Sequence, residues 1–88
     1  MKYTWEAVLE CDDDDGNHTS YAARTGIKEY PWFWLDQNYD GSWQVETARR
    51  YDDGLGDMQT LMVCKTLTSA KRWVTQNGSF KLAHYLDY

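Results

Sequence analysis

The chain predicts an α+β fold: an antiparallel sheet of five to six strands with one helix packed on one face. Three stretches predict it. Residues Lys2 to Glu10 alternate, with Tyr3, Trp5, Ala7 and Leu9 pointing one way and Lys2, Thr4, Glu6, Val8 and Glu10 the other, the period of a half-buried strand. Two runs rich in aromatic and β-branched residues, centred on Trp32-Phe33-Trp34-Leu35 and Trp43-Gln44-Val45, flank Asp40-Gly41. That dipeptide is a strong hairpin signal, because a type I′ turn needs positive φ at both central residues. The stretch from Thr66 to Gly78 opens on a good N-cap residue and closes on a good C′ residue. Eighty-eight residues make a single domain, 1–88. A chain of this size buries roughly 60 to 68% of its unfolded surface, enough for one modest core.

In order, the first strand gives way at Cys11 to an acidic loop, Asp12-Asp13-Asp14-Asp15-Gly16-Asn17, since consecutive carboxylates repel in regular structure and Gly-Asn supplies a turn. Thr19 to Arg24 reads as a return strand, broken by Thr25-Gly26. Tyr30-Pro31 forces an extended lead into the central hairpin. With Asp40 and Gly41 at the tip, Asn38 pairs with Trp43, Asp36 with Val45 and Trp34 with Thr47. One face then carries Trp34, Trp43 and Val45, the other Phe33, Leu35 and Ala48, so both faces need at least partial cover. The second arm runs to about Arg49, and Tyr51 to Asp57 forms another acidic, glycine-punctuated loop.

Met58 to Lys65 fits a strand or a helix by spacing. Thr60, Val63, Cys64 and Thr66 lower helix propensity and favour a buried strand. The helix from Thr66 places Leu67, Ala70, Trp73 and Val74 on one stripe, with Lys71, Arg72 and Gln76 outside, and ends at Gly78. Ser79 to Tyr88 reads as a last strand, Phe80, Leu82 and Leu86 alternating, with a short helix as the alternative.

The net charge of −5 conceals an asymmetry. Residues 1–57 carry 13 of the 14 acidic side chains against Lys2, Arg24, Lys28, Arg49 and Arg50 (13 − 5, a charge of −8). Residues 58–88 carry Asp87 against Lys65, Lys71, Arg72 and Lys81 (a charge of +3). This balance disfavours direct nucleic-acid binding, which draws on cations that neutralise phosphates. No run of about 18 apolar residues could cross a membrane, and no apolar segment near Met1 resembles a signal peptide. The expectation is a cytoplasmic protein, in the host cell if phage-encoded, with Cys11 and Cys64 as free thiols.

The carboxylates at Asp12 to Asp15 suggest calcium, which takes oxygen ligands at set spacing. With Gly16 as the sixth position of an EF-hand loop, the first would be Cys11 and the twelfth Ala22, and neither ligates as required. No metal and no cofactor are expected. His18 and His84 stand in no nucleophile-elbow, zinc or phosphate-loop motif, so the chain is not expected to be an enzyme. Five tryptophans and seven tyrosines exceed what one small core hides. Tyr39 and its neighbours therefore offer anchors for a protein partner.

The stretch Thr66-Leu67-Thr68-Ser69-Ala70-Lys71-Arg72 resembles the helix opening of some small anti-CRISPR proteins of bacteriophages, as do the chain's length, acidity and strand meander. The resemblance implies a viral inhibitor that acts as a DNA mimic, meeting the Lys/Arg groove of a CRISPR effector and blocking DNA or guide engagement. The residues expected to carry such binding are Asp12, Asp13, Asp14, Asp15, Asp36, Tyr39, Asp40, Glu46, Asp52, Asp53 and Asp57. The partner expected is a basic nucleic-acid-binding protein, without direct contact to nucleic acid or membrane. A bare sheet edge would also offer a route to a homodimer. The alternative is a small adaptor or structural module that binds a protein partner through exposed aromatics.

Overall fold

The computed structural model describes the backbone of residues 3–86, and the side chains of that span except those of 79, 80 and 83–86. Its centre is an antiparallel sheet. Strands β1 (Glu6–Ala7), β2 (Ser20–Arg24), β3 (Trp32–Gln37) and β4 (Trp43–Thr47) follow as a meander. A two-stranded ribbon, β5 (Arg50–Tyr51) with β6 (Gly54–Leu55), stands apart from it. Strand β7 (Gln59–Cys64) then adds beside β4, giving the order β1-β2-β3-β4-β7. Helix α1 (Leu67–Leu86) lies across one face. The expected class, a five-stranded antiparallel sheet with one packed helix, is the one observed.

The central hairpin pairs one residue out of the expected register. Leu35 faces Val45, Trp34 faces Glu46 and Gln37 faces Trp43. The Gly41 N–H donates to the Asn38 carbonyl (3.0 Å), so the tip is Tyr39-Asp40, and Gly41 follows with φ +88°. Among the described residues only glycines have positive φ, so Asp40 does not adopt the conformation of a type I′ turn. The geometry is a turn followed by a left-handed glycine, the usual three-residue hairpin loop. A one-residue slip exchanges faces. Phe33, Leu35, Trp43 and Val45 thereby share one side, all buried, and pack with Ala70, Val74 and Leu82 of α1. Trp32 and Trp34 turn to the other side, half-buried, their rings 6.5 Å apart and the Arg24 guanidinium 4.9 Å from the Trp32 ring centre. Burying four large apolar side chains together is what selects this register.

Three further expectations are corrected. The stretch from Met58 to Lys65 is a strand as expected but not a buried one, because β7 is an edge of the sheet and leaves Gln59, Thr60, Met62 and Val63 exposed. The alternation at the N-terminus yields only Glu6–Ala7 as strand, because Leu9–Cys11 wind into a 3-10 turn, and Lys2 lies outside the described residues. The helix does not stop at Gly78, and the segment read as a last strand is its continuation to Leu86, with Asp87 and Tyr88 outside the described residues. Gly78 is buried against the sheet, and a Cβ there would lie 2.8 Å from Phe33 Cζ and 3.1 Å from Val74 Cγ1. It is a site of close approach, not a stop signal. At the other end Thr66 caps as expected: its Oγ1 accepts from the Ser69 N–H (3.1 Å) and its carbonyl from the Ala70 N–H (3.0 Å).

Candidate functional site

In an antiparallel meander successive connections alternate between the two ends of the sheet. The β1–β2 loop and the β3–β4 tip therefore share one end, and the Gln37 N–H joins them by donating to the Thr19 carbonyl (2.9 Å). Residues 8–20 and 36–44 supply seven carboxylates there, five (Glu10, Asp12 to Asp15) and two (Asp36, Asp40), and neither segment contains Lys or Arg. Two cations flank this end: Lys65 at the end of β7, and Lys71 of α1, whose Nζ lies 4.9 Å from the Tyr21 ring centre, the ring that also meets His18.

The loop is built by its own acids. Asp13 Oδ1 accepts from the backbone N–H groups of Asp15 (3.0 Å) and Asn17 (2.8 Å), and its Oδ2 accepts from Asn17 Nδ2 (3.2 Å). Those bonds, the Asn17 backbone first, hold the Asp13 carboxyl below its ordinary 3.8. His18 Nδ1 lies 2.9 Å from Asp12 Oδ1, a hydrogen-bond distance. At the tip, Asp40 Oδ1 accepts from the Ser42 hydroxyl (2.6 Å) and the Ser42 N–H (2.9 Å), which lower the Asp40 carboxyl as well. The carboxylates of Asp14 and Asp15 are exposed and lie outside this network, which converges on Asp13. Tyr39 projects wholly into solvent (112% relative exposure) beside a hollow of about 470 Å³ lined by Asp13, Thr19, Gln37, Asn38 and Tyr39 itself.

The remaining expected residues lie elsewhere. Glu46 sits in mid-sheet on the face away from α1, diagonal to Asp36 across the β3–β4 pair. Desolvation first, then a hydrogen bond with Asp36 and repulsion by its charge, push the Glu46 carboxyl up to about 8. Asp52, Asp53 and Asp57 belong to the opposite end, with the β2–β3 loop, to which Arg50 is tied by its N–H on the Glu29 carbonyl (2.7 Å). That end is mixed: Arg24, Lys28, Arg49 and Arg50 accompany Glu29 and those three aspartates. The eleven residues thus divide into an acidic end (Asp12 to Asp15, Asp36, Tyr39, Asp40), a sheet-face position (Glu46) and a mixed end. Sequence reasoning missed the structural work of Asp12 and Asp13 and the partnership of His18. The Asp-x-Asp-Gly-Asn pattern at 13–17 is an Asx-type signal that could have found the Asp13 bonds.

Cys11 and Cys64 are free thiols, and burial pushes the Cys64 thiol up from 9.0. Among the described residues no group of three or more His, Cys, Asp or Glu side chains could hold a metal ion, and no helix is long and apolar enough to cross a membrane. Compared with known protein families, curated proteins and solved structures, the chain matches none.

Proposed function

We propose that the protein is a non-enzymatic, phage-type inhibitor of the anti-CRISPR kind. Its acidic end docks in the Lys/Arg groove of a nucleic-acid-handling effector and blocks DNA or guide engagement. The observation that carries this reading is the joining of two connections, with six carboxylates and no Lys or Arg, into one end of the sheet, next to Asp36 at the end of β3. The loops are held by internal hydrogen bonds, so little ordering cost falls on association. Tyr39 stands among the acids as an aromatic anchor of the kind that dominates interface energetics. Complementary charge would speed encounter and make binding salt-sensitive. Asp52, Asp53 and Asp57, at the far end, are no longer part of the docking surface.

The test is a panel of purified CRISPR effectors, titrated with wild-type protein and with D14K/D15K at several salt concentrations. Asp14 and Asp15 are the acids to reverse, because Asp12 and Asp13 hold the loop together. Binding that excludes target DNA, weakened at least about tenfold by the variant and by raised salt, is the expected result. Unchanged affinity, or no binding across the panel, overturns the reading.

A further inference from the structure

We propose that β7 is the contact through which two copies of this chain pair, edge to edge and antiparallel. The two edges of the sheet are unlike. One is β1, only two residues long and carrying Glu6. The other is β7, six residues with no charge and no proline, paired to β4 on one side only. Alternate residues of such an edge turn their N–H and C=O groups outward, a template for another strand. Along it Met58, Met62 and Val63 are exposed, between 42% and 52%.

A second copy fits this edge for two reasons. The strand is bracketed by opposite charges, Asp57 before it and Lys65 after it. Antiparallel self-pairing brings Lys65 of each copy alongside Asp57 of the other, twice over, whereas parallel pairing sets like beside like. The two-fold axis perpendicular to the sheet that generates this arrangement makes the interface isologous and closed. The second reason is the register of the sheet faces. Cys64 and Gln59 pair with Trp43 and Thr47 on the core side, while Val63 and Thr60 pair with Gln44 and Glu46 on the other. Leu61 is the extra residue of a bulge opposite Val45 and Glu46. Faces match across the axis when Gln59 meets Cys64 and Thr60 meets Val63, which puts the axis between Leu61 and Met62. A bulge usually discourages edge pairing. Here it falls on the axis, where both strands bend at the same point, and the arms on either side pair normally. The same register sets Lys65 opposite Met58, next to Asp57.

Sedimentation velocity from low micromolar to near millimolar protein tests the pairing. The expected result is a concentration-dependent monomer–dimer equilibrium that Val63→Lys abolishes. Lys65→Asp should weaken the dimer about two- to fivefold, and Asp57→Lys with Lys65→Asp should restore it. A separate variant, Gln59→Cys in a Cys11→Ser background, should form a disulfide-linked dimer through the native Cys64 on oxidation, which reads the register without a destabilising charge. A monomer throughout the range overturns the proposal. So does a dimer indifferent to Val63→Lys, or a dimer that persists while the Gln59→Cys variant yields no covalent product. Effector binding by D14K/D15K is read in a different assay, so either idea can fail alone.

Discussion

Asp13 and Asp14 are neighbours of identical chemistry with different work to do. Asp13 spends both oxygens on the loop's own N–H groups, while Asp14 faces water. Glu46 is the opposite case, an acid that the fold keeps protonated. Its carboxyl, half-buried beside Asp36, titrates near 8 where an ordinary glutamate titrates near 4.5. The folded state therefore holds this proton over a window in which the unfolded chain has lost it. Stability is full below about 4.5 and falls as pH rises towards about 8, where the folded-state carboxyl ionises against burial and against Asp36. Asp13 and Asp40 have lowered values and act only in more acidic solution, so they do not blur this window. The thermal midpoint should drop between pH 5 and pH 8 in the wild type, and Glu46→Gln should remove most of that drop. A wild-type midpoint that rises over the same interval would refute the assignment. The pair was hidden by the register: with Asp36 opposite Val45 the two acids fall on opposite faces, and only the observed pairing, Asp36 with Gln44 and Trp34 with Glu46, sets them on one face.

Helix and hairpin each depend on one glycine, for unrelated reasons. At Gly41 the cause is backbone: φ is +88° and open space surrounds the position, so any cost of a side chain is conformational. Gly41→Ala should lower unfolding free energy by about 1–2 kcal/mol, with Gly41→Asn milder, both read from denaturant midpoints. At Gly78 the cause is packing. Gly78→Ala improves helix propensity by about 1 kcal/mol, but its methyl must displace a fully buried Phe33 ring or Val74, at about 1–3 kcal/mol. The second effect wins, and chemical denaturation should show a net loss. These two positions also mark what could be read in advance. Strands β2, β3, β4 and β7 and the first turns of α1 were legible from propensity, capping and alternation, whereas the short β5–β6 ribbon was read as a loop. Registers and ends were not. The turn type depended on which face the tryptophans would share, a tertiary matter. The end of the helix depended on a ring from another strand lying over Gly78. The N-terminal alternation is genuine, yet a strand needs a partner along its length, and pairing with β2 covers Glu6 and Ala7, with one more bond from the Val8 N–H to the Ser20 carbonyl, before the chain winds into the 3-10 turn.

Across the whole molecule the composition is less informative than its arrangement. The excess of acid in residues 1–57 was plain, but it sorts into one end whose two loops carry no Lys or Arg, with Lys65 and Lys71 beside it, and another where four cations meet four acids. The alternation of loops in a meander could have separated Asp12 to Asp15 from Asp52, Asp53 and Asp57 without coordinates. Grouping those acids by charge alone overlooked it. The pairing of the two acidic loops through Thr19 and Gln37 needed the actual strand order.

One consequence follows from the way Asp13 builds the β1–β2 connection. The negative charge that would greet a partner and the bonds that keep the loop in shape come from the same carboxylate. Strong acid would take away both at once. One proton on Asp13 thus removes a charge from the surface and loosens the loop that presents Asp14 and Asp15, so attraction and shape are coupled at this one side chain.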